Sequence, residues 1–333
     1  MDVKLDKWHK CQADKEVLKE LSKKSDLKGL QHVSIFFGLL VLTGVCAYLT
    51  WGTLWGIFWI LIYGNIYCFS NALWHETGHR TAFKSNYLNE FFYYVSCYMA
   101  FFEPIRWRYT HFIHHGNTYS TENPYDHEIE YGNDLKNTIT RLIKEIIPFG
   151  NLAYIKNDIS LEIIKHSLGI ETKVMKDSIP DKVKPKSIFI SRIYIFIWLS
   201  VILFSIYVNS WLPVLYFVLP HFYGKTLHKL VAFTQHAGLA RNLKDHRLSA
   251  REMYLNPILS FLYWKMEYHL THHMFPTVPS YNLDKLHHHI KDQLPKSNEG
   301  LIDAYKEIIP ALVKQSKDED YFLKKDLPQL QNL

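Results

Sequence analysis

The sequence predicts an all-α integral membrane protein, with four transmembrane helices in two hairpins and a cytosolic helical cap. Three observations predict it. Apolar runs come in two pairs, the turn inside each pair carries no Lys or Arg, and histidines cluster outside the runs. The mean hydropathy of −0.13 averages over long apolar stretches that alternate with charged ones.

Residues 1–30 alternate Lys with Asp and Glu. They read as a solvated, partly helical cytosolic arm, without the early apolar core of a cleavable signal peptide. The runs 33–50 and 52–74 hold no charge. Each approaches the roughly 20 residues a helix needs to cross the hydrocarbon core. The turn around Thr50–Thr53 makes them a hairpin. Residues 75–186 are mostly polar. Within them Phe91–Phe102 is too short to span and reads as an interfacial or re-entrant helix. Residues 132–186, with Pro148, Pro180 and Pro185, read as a soluble insertion. The second hairpin is expected over 190–208 and 212–231, with a turn at Asn209–Pro213. Its return limb contains Pro220, His221 and Lys225 and is the weakest of the four spans. Residues 31–290 form the main domain and 291–333 a cytosolic helical tail. Both turns lack Lys and Arg, so the positive-inside rule puts the arm, the middle segment and the tail on the cytoplasmic side.

Composition narrows the function. A net charge of +6 without a basic stripe and interleaved stacking aromatics excludes a nucleic-acid footprint. It suits an anionic bilayer surface. The four cysteines, Cys11, Cys46, Cys68 and Cys97, form neither CxxC pairs nor a disulfide framework.

Nineteen histidines carry the chemistry. His75 and His79 form HETGH after the second run. His111, His114 and His115 form HFIHH. His269, His272 and His273 form HLTHH, followed by Met274, Phe275 and Pro276. His236 sits in FTQHAG just beyond the fourth run. On a helix, positions i, i+3 and i+4 share a face, so HxxxH aims two imidazoles at one point and HxxHH aims three. Neutral imidazole ligates iron, copper, zinc or nickel. Nine candidate ligands exceed the three or four that one zinc accepts and suit two metals, giving the cap a di-metal site. HETGH also matches the HExxH zinc-protease signature. An intramembrane protease, however, leaves two HxxHH boxes unused; a metal transporter is the other non-oxidative reading. Ligating histidines need acceptors on the outward nitrogen, and Glu76, Glu103, Asp126, Glu128 and Glu267 are candidates. His287, His288 and His289 are consecutive, point around a helix and read as interfacial. His9, His32 and His166 read as surface. His221 and His228 read as packing or channel lining, and His246 as an outer partner of a ligand or a turn residue. His127 is open between the same two readings.

At these residues the chain resembles the membrane fatty-acid desaturase family, from about Val33 to about Ile290. The features are HETGH after a hairpin, HFIHH about 32 residues on, a second hairpin, and HLTHHMFP. The resemblance implies four transmembrane helices under a cytosolic cap. It also implies two non-haem irons held by His75, His79, His111, His114, His115, His269, His272 and His273, with His236 as a further ligand. The stretch TQHAGLARN looks more like members that hydroxylate smaller substrates, such as rhizopine oxygenase. The implied activity is O2-dependent attack on an unactivated C–H bond, desaturating a lipid acyl chain or, in a monooxygenase, hydroxylating a lipid or small amphiphile. No HPGG haem motif or ferredoxin-type cysteine run is present, so electrons are expected from a separate ferredoxin or cytochrome b5.

Overall fold

The computed structural model describes residues 7–120, 135–152 and 160–328. Among them there is no strand, only an isolated parallel bridge between Met253 and Asn298. Asp126, His127 and Glu128 lie outside the described residues.

The first hairpin forms where the apolar runs predict it. Helix α1 (Lys15–Leu21) is capped by the Asp14 carboxylate, which accepts the N–H groups of Glu16 and Val17. Helix α2 (Asp26–Leu49) starts on a Ser25 cap and α3 (Leu54–Cys68) on a Thr53 cap. Between them Thr50 donates both its N–H and its hydroxyl to the Cys46 carbonyl, closing the last turn of α2. Helix α4 (Ser70–Gly78) follows after Phe69 alone, so Leu54–Gly78 is one apolar rod with a joint. Helix α5 (Asn86–Ala100) packs on α4. Helix α6 (Pro104–Gly116) starts on Glu103, whose carboxylate accepts the N–H groups of Ile105 and Arg106, with Pro104 in the first turn.

After α7 (Leu135–Ile146), α8 (Ser160–Ser167) and α9 (Lys173–Ser178) comes the long α10 (Lys184–Tyr207). The three helices long and apolar enough to cross a membrane, among the described residues, are α2, α3–α4 and the stretch ending in α10. Helices α2 and α10 point Val41, Leu42, Leu49, Phe196, Leu203 and Phe204 outward. Such faces are costly in water and ordinary against lipid tails.

The expected fourth span is not one helix. Residues 212–231 divide into α11 (Leu212–Phe217), α12 (Pro220–Tyr223) and α13 (Thr226–Ala232). Pro220 has no N–H to donate and clashes with the preceding turn. The carbonyls freed by the break are taken by hydroxyls: Tyr223 donates to Leu215, Tyr63 to Tyr216 and Tyr98 to Phe217. Broken backbone in apolar surroundings needs such partners. The broken limb packs directly on α3, because a side chain on Gly224 would collide with the backbone of Gly64.

The cap follows as α14 (His246–Ser249), α15 (Pro257–Leu262), α16 (His269–Met274), α17 (Leu283–Ile290) and α18 (Leu301–Gln315). One apolar cluster joins it to the first hairpin, running from Phe36, Tyr67 and Leu73 to Trp264, Leu270, Leu286 and Ile308. The tail is helical only to Gln315; beyond it Leu323 donates its N–H to Gly238 and Lys325 pairs with Glu307. Three histidines expected at the surface lie deeper. His166 is fully buried, 3.8 Å from the Glu103 carboxylate and bonded to Thr172. His32 stacks on Phe261 and Trp264. His9 is half-buried on the arm. Residues 132–186 are also less detached than the polar composition implies, since α8 lies along α10.

Gly224→Ala should destabilise the fold by about 1–3 kcal/mol through overpacking against Gly64. Thermal unfolding in detergent reads this as a lowered midpoint; an unchanged midpoint would mean that the two backbones do not meet.

Candidate metal centre

All nine candidate ligands converge. His75, His79, His111, His115 and His272 form one group; His114, His236, His269 and His273 form the other. Within each group one nitrogen per ring lies within 4.8 Å of every other. The groups adjoin, with the rings of His115 and His273 4.4 Å apart.

The helices impose this. Helix α4 carries His75 and, at its C-terminal end, His79. Helix α6 carries His111 and His115 at i and i+4 toward the first group and His114 toward the second. The six-residue α16 splits its box the same way, giving His272 to the first group and His269 and His273 to the second. His236 arrives at the end of a 3-10 turn, Phe233–Gln235.

Most rings meet through Nε2. His75 and His272 stand 2.8 Å apart, His79 and His111 2.7 Å, and His236 and His269 3.0 Å. Nε2 of His273 lies 3.2 Å from that of His114 and 3.0 Å from that of His269. The outward nitrogens fix two tautomers. Nδ1 of His236 lies 2.6 Å from the Ser249 carbonyl, which only accepts, so the proton sits on Nδ1. Nδ1 of His273 lies 3.2 Å from Thr118, whose own hydroxyl proton goes to the His114 carbonyl, so Thr118 accepts. Both rings therefore turn an Nε2 lone pair inward. The Gln235 amide stands 3.1 Å from Nδ1 of His269.

The residues present fit a metal pair. Both His115 nitrogens are shielded from solvent without a hydrogen-bond partner, an arrangement a ligated ion would repair. An all-imidazole donor set suits iron, copper, zinc or nickel rather than calcium or magnesium. Burial holds His79, His115 and His273 well below the ordinary imidazole range, and neighbouring histidines add to the effect. They stay neutral, as ligands must.

Of the anticipated carboxylate partners, the three described ones do other work. Glu76 is fully buried and its Oε1 accepts the Ser280 N–H at 3.0 Å. Glu103 caps α6, and Glu267 accepts the Ser260 hydroxyl. Burial raises the Glu267 carboxyl to about 7. The acceptors that do orient rings, Thr118 and the Ser249 carbonyl, give no sequence signal beyond Thr118 standing four residues after His114. Glu252 was also not anticipated. It is buried, accepts the Thr271 N–H at 2.9 Å in the first turn of α16, and pairs with Nδ1 of His287 at 2.7 Å. His287 thus faces inward and bonds Tyr254, while His288 and His289 are exposed. His246 lies 5.0 Å from the His273 ring, so of its two expected roles the structure favours the one beside a ligand.

A family model described as fatty acid desaturase matches residues 28–305, a stretch that includes every histidine of both groups. No curated protein matches the chain.

Acid should weaken the metal-free fold. The native pKa values of His79, His115 and His273 are depressed, so the unfolded chain binds more protons below its ordinary value of about 6.5. The stability is full above that pH and is lost as pH falls through it. Each such ring contributes a slope of up to about 1.4 kcal/mol per pH unit. Midpoints of the metal-free protein should hold from pH 7.5 to about 6.5 and then drop toward pH 5; a flat profile throughout would mean that the rings are solvated.

Proposed function

Because the chain belongs to the fatty acid desaturase family, we propose that it is an integral-membrane, O2-dependent di-iron enzyme that desaturates a lipid acyl chain. The observation that carries this is the pair of adjoining histidine groups. Two irons held there supply, once reduced by two electrons, the activation of O2 that removes hydrogen from an unactivated C–H bond, chemistry no organic side chain performs.

The chain's own residues do the rest. His75, His79, His111, His115 and His272 would hold one iron, and His114, His236, His269 and His273 the other. Thr118 and the Ser249 carbonyl keep the Nδ1 protons of His273 and His236 outward. Glu252 locks the start of α16. Trp74, which touches the rings of His75 and His111, is backed by Phe102 and Trp107, and this wall keeps water from one side. An apolar cavity of about 280 Å3 lies between α8, α10 and α12, lined among others by Phe101, Ile195, Trp198 and Phe222. It suits a hydrocarbon substrate drawn from the bilayer. In this reading α2, α3–α4, α10 and the broken α11–α13 cross the membrane, the cap faces the cytoplasm, and a ferredoxin or cytochrome b5 brings the electrons.

Glu76 argues against the protease reading. A zinc protease needs that carboxylate beside the metal as general base, and here it is turned to the Ser280 N–H.

Two experiments test the proposal. Cells making the protein with a ferredoxin and its reductase should yield lipids lighter by two hydrogens; a gain of one oxygen would assign hydroxylation instead. The purified protein should hold about two irons per chain by elemental analysis, and one zinc without iron would sink the reading. His111→Ala should abolish turnover. Glu76→Gln keeps an acceptor for Ser280 and should leave iron content and turnover near wild type, whereas a protease would lose all activity.

A further inference from the structure

Eight of the nine candidate ligands stand on α4, α6 or α16, or at the end of one, where helical spacing aims them. His236 follows a single 3-10 turn, and its segment is held by contacts from far along the chain. Buried Arg251 grips that segment at three carbonyls. Its backbone N–H goes to Gln235 at 2.8 Å, Nη2 to Ala237 at 2.9 Å, and Nη1 to Thr234. Its Nε donates to Oε1 of Glu307, on α18, at 2.7 Å. Lys325, in the non-helical stretch beyond α18, donates to both oxygens of that carboxylate, at 2.6 and 2.7 Å. Two residues earlier Leu323 donates its N–H to the Gly238 carbonyl at 2.8 Å. The tail therefore reaches the His236 segment twice, directly at Gly238 and through Glu307 and Arg251.

We propose that the C-terminal tail is a clasp for His236, with Leu323 and Lys325 as positioning residues, so that one of the two metal positions depends on tail docking and the other does not. The proposal rests on the two-metal reading and adds an inequality between its sites. The group that contains His236 has four members and the other has five. Displacing His236 leaves three imidazoles for one ion and does not touch the five for the other. The Gly238 backbone has little room to follow a loosened tail and return, since a Cβ there would stand 2.9 Å from that of Ala311 on α18. The Ser249 carbonyl, which accepts from Nδ1 of His236 at 2.6 Å, lies two residues before Arg251. One strap thus sets both the place of the ring and its tautomer. Lys325 holds the Glu307 carboxylate in the orientation that meets Arg251, and a freed Glu307 regains rotamers that the pair had removed. Partners of this kind, which touch no metal themselves, are what keeps a ligating ring in line.

The test is cobalt(II) titration of the metal-free full chain in detergent, followed by the visible absorption of the bound ion. Wild type should take two equivalents. Lys325→Ala, and Leu323→Pro, which lacks the N–H that reaches Gly238, should each weaken one equivalent about tenfold, the lower end of what losing a ligand's outer partner costs. The other equivalent should keep its wild-type affinity. Lys325→Arg should retain both, and Lys324→Ala, at an exposed neighbour, should match wild type. His236→Ala should lose the same equivalent, and adding Lys325→Ala to it should cost nothing more, as expected of residues that act on one ligand. Two wild-type affinities in both tail variants would overturn the proposal. So would equal weakening of the two equivalents, or full additivity in the double variant, because the tail would then only brace the fold. A wild type that binds fewer than two equivalents would instead overturn the two-metal reading itself.

Discussion

Nitrogen lone pairs crowded into a dry space are the constraint from which the rest of this structure follows. His236 and His273 are turned by the Ser249 carbonyl and by Thr118 so that each presents a bare Nε2. His273 meets two other Nε2 atoms at once. His115 has no hydrogen-bond partner for either ring nitrogen. A cation shared by each group removes the conflict in one step. The cap has to keep four separate chain segments within a few ångströms of each other against this frustration.

Buried ionic contacts supply that bracing. Arg251 and Glu252 are neighbours that reach in different directions. Arg251 donates to the carbonyls of Thr234 and Ala237, on either side of His236, and pairs with Glu307 of α18. Glu252 holds Thr271 within the third box. One short strap thus sets the spacing between two ligand-bearing segments. Removing one member of such a buried pair is far more damaging than the pair itself is stabilising, which is why these contacts set geometry rather than add to stability.

Much of this was legible in the sequence because it depends on local spacing. HxxxH and HxxHH declare a shared helical face, and uncharged runs declare α2, α3–α4 and α10. The rest depends on tertiary contacts. Pro220 hinted at a break, but nothing local says that Tyr63, Tyr98 and Tyr223 would cap its carbonyls. Glu76 looked like a partner of the metal site because of its place in HETGH, yet the helix turns it to Ser280. His166 and His287 carry no mark separating a buried imidazole from a surface one. Lys325 lies in a mixed-charge tail whose composition predicts helix but not the Glu307 pair.

The distribution of ligands along the chain also sets a timetable. His75 and the partner it faces, His272, are 197 positions apart, and neither group is complete without α16. At roughly 5–20 residues per second of synthesis, the imidazoles of α4 and α6 leave the ribosome on the order of 10–40 s before the third box. During that interval a half-built donor set is open to copper or zinc, which bind nitrogen ligands more tightly than ferrous iron. In the di-iron reading, the late arrival of α16 therefore makes the order of synthesis part of what selects the ion.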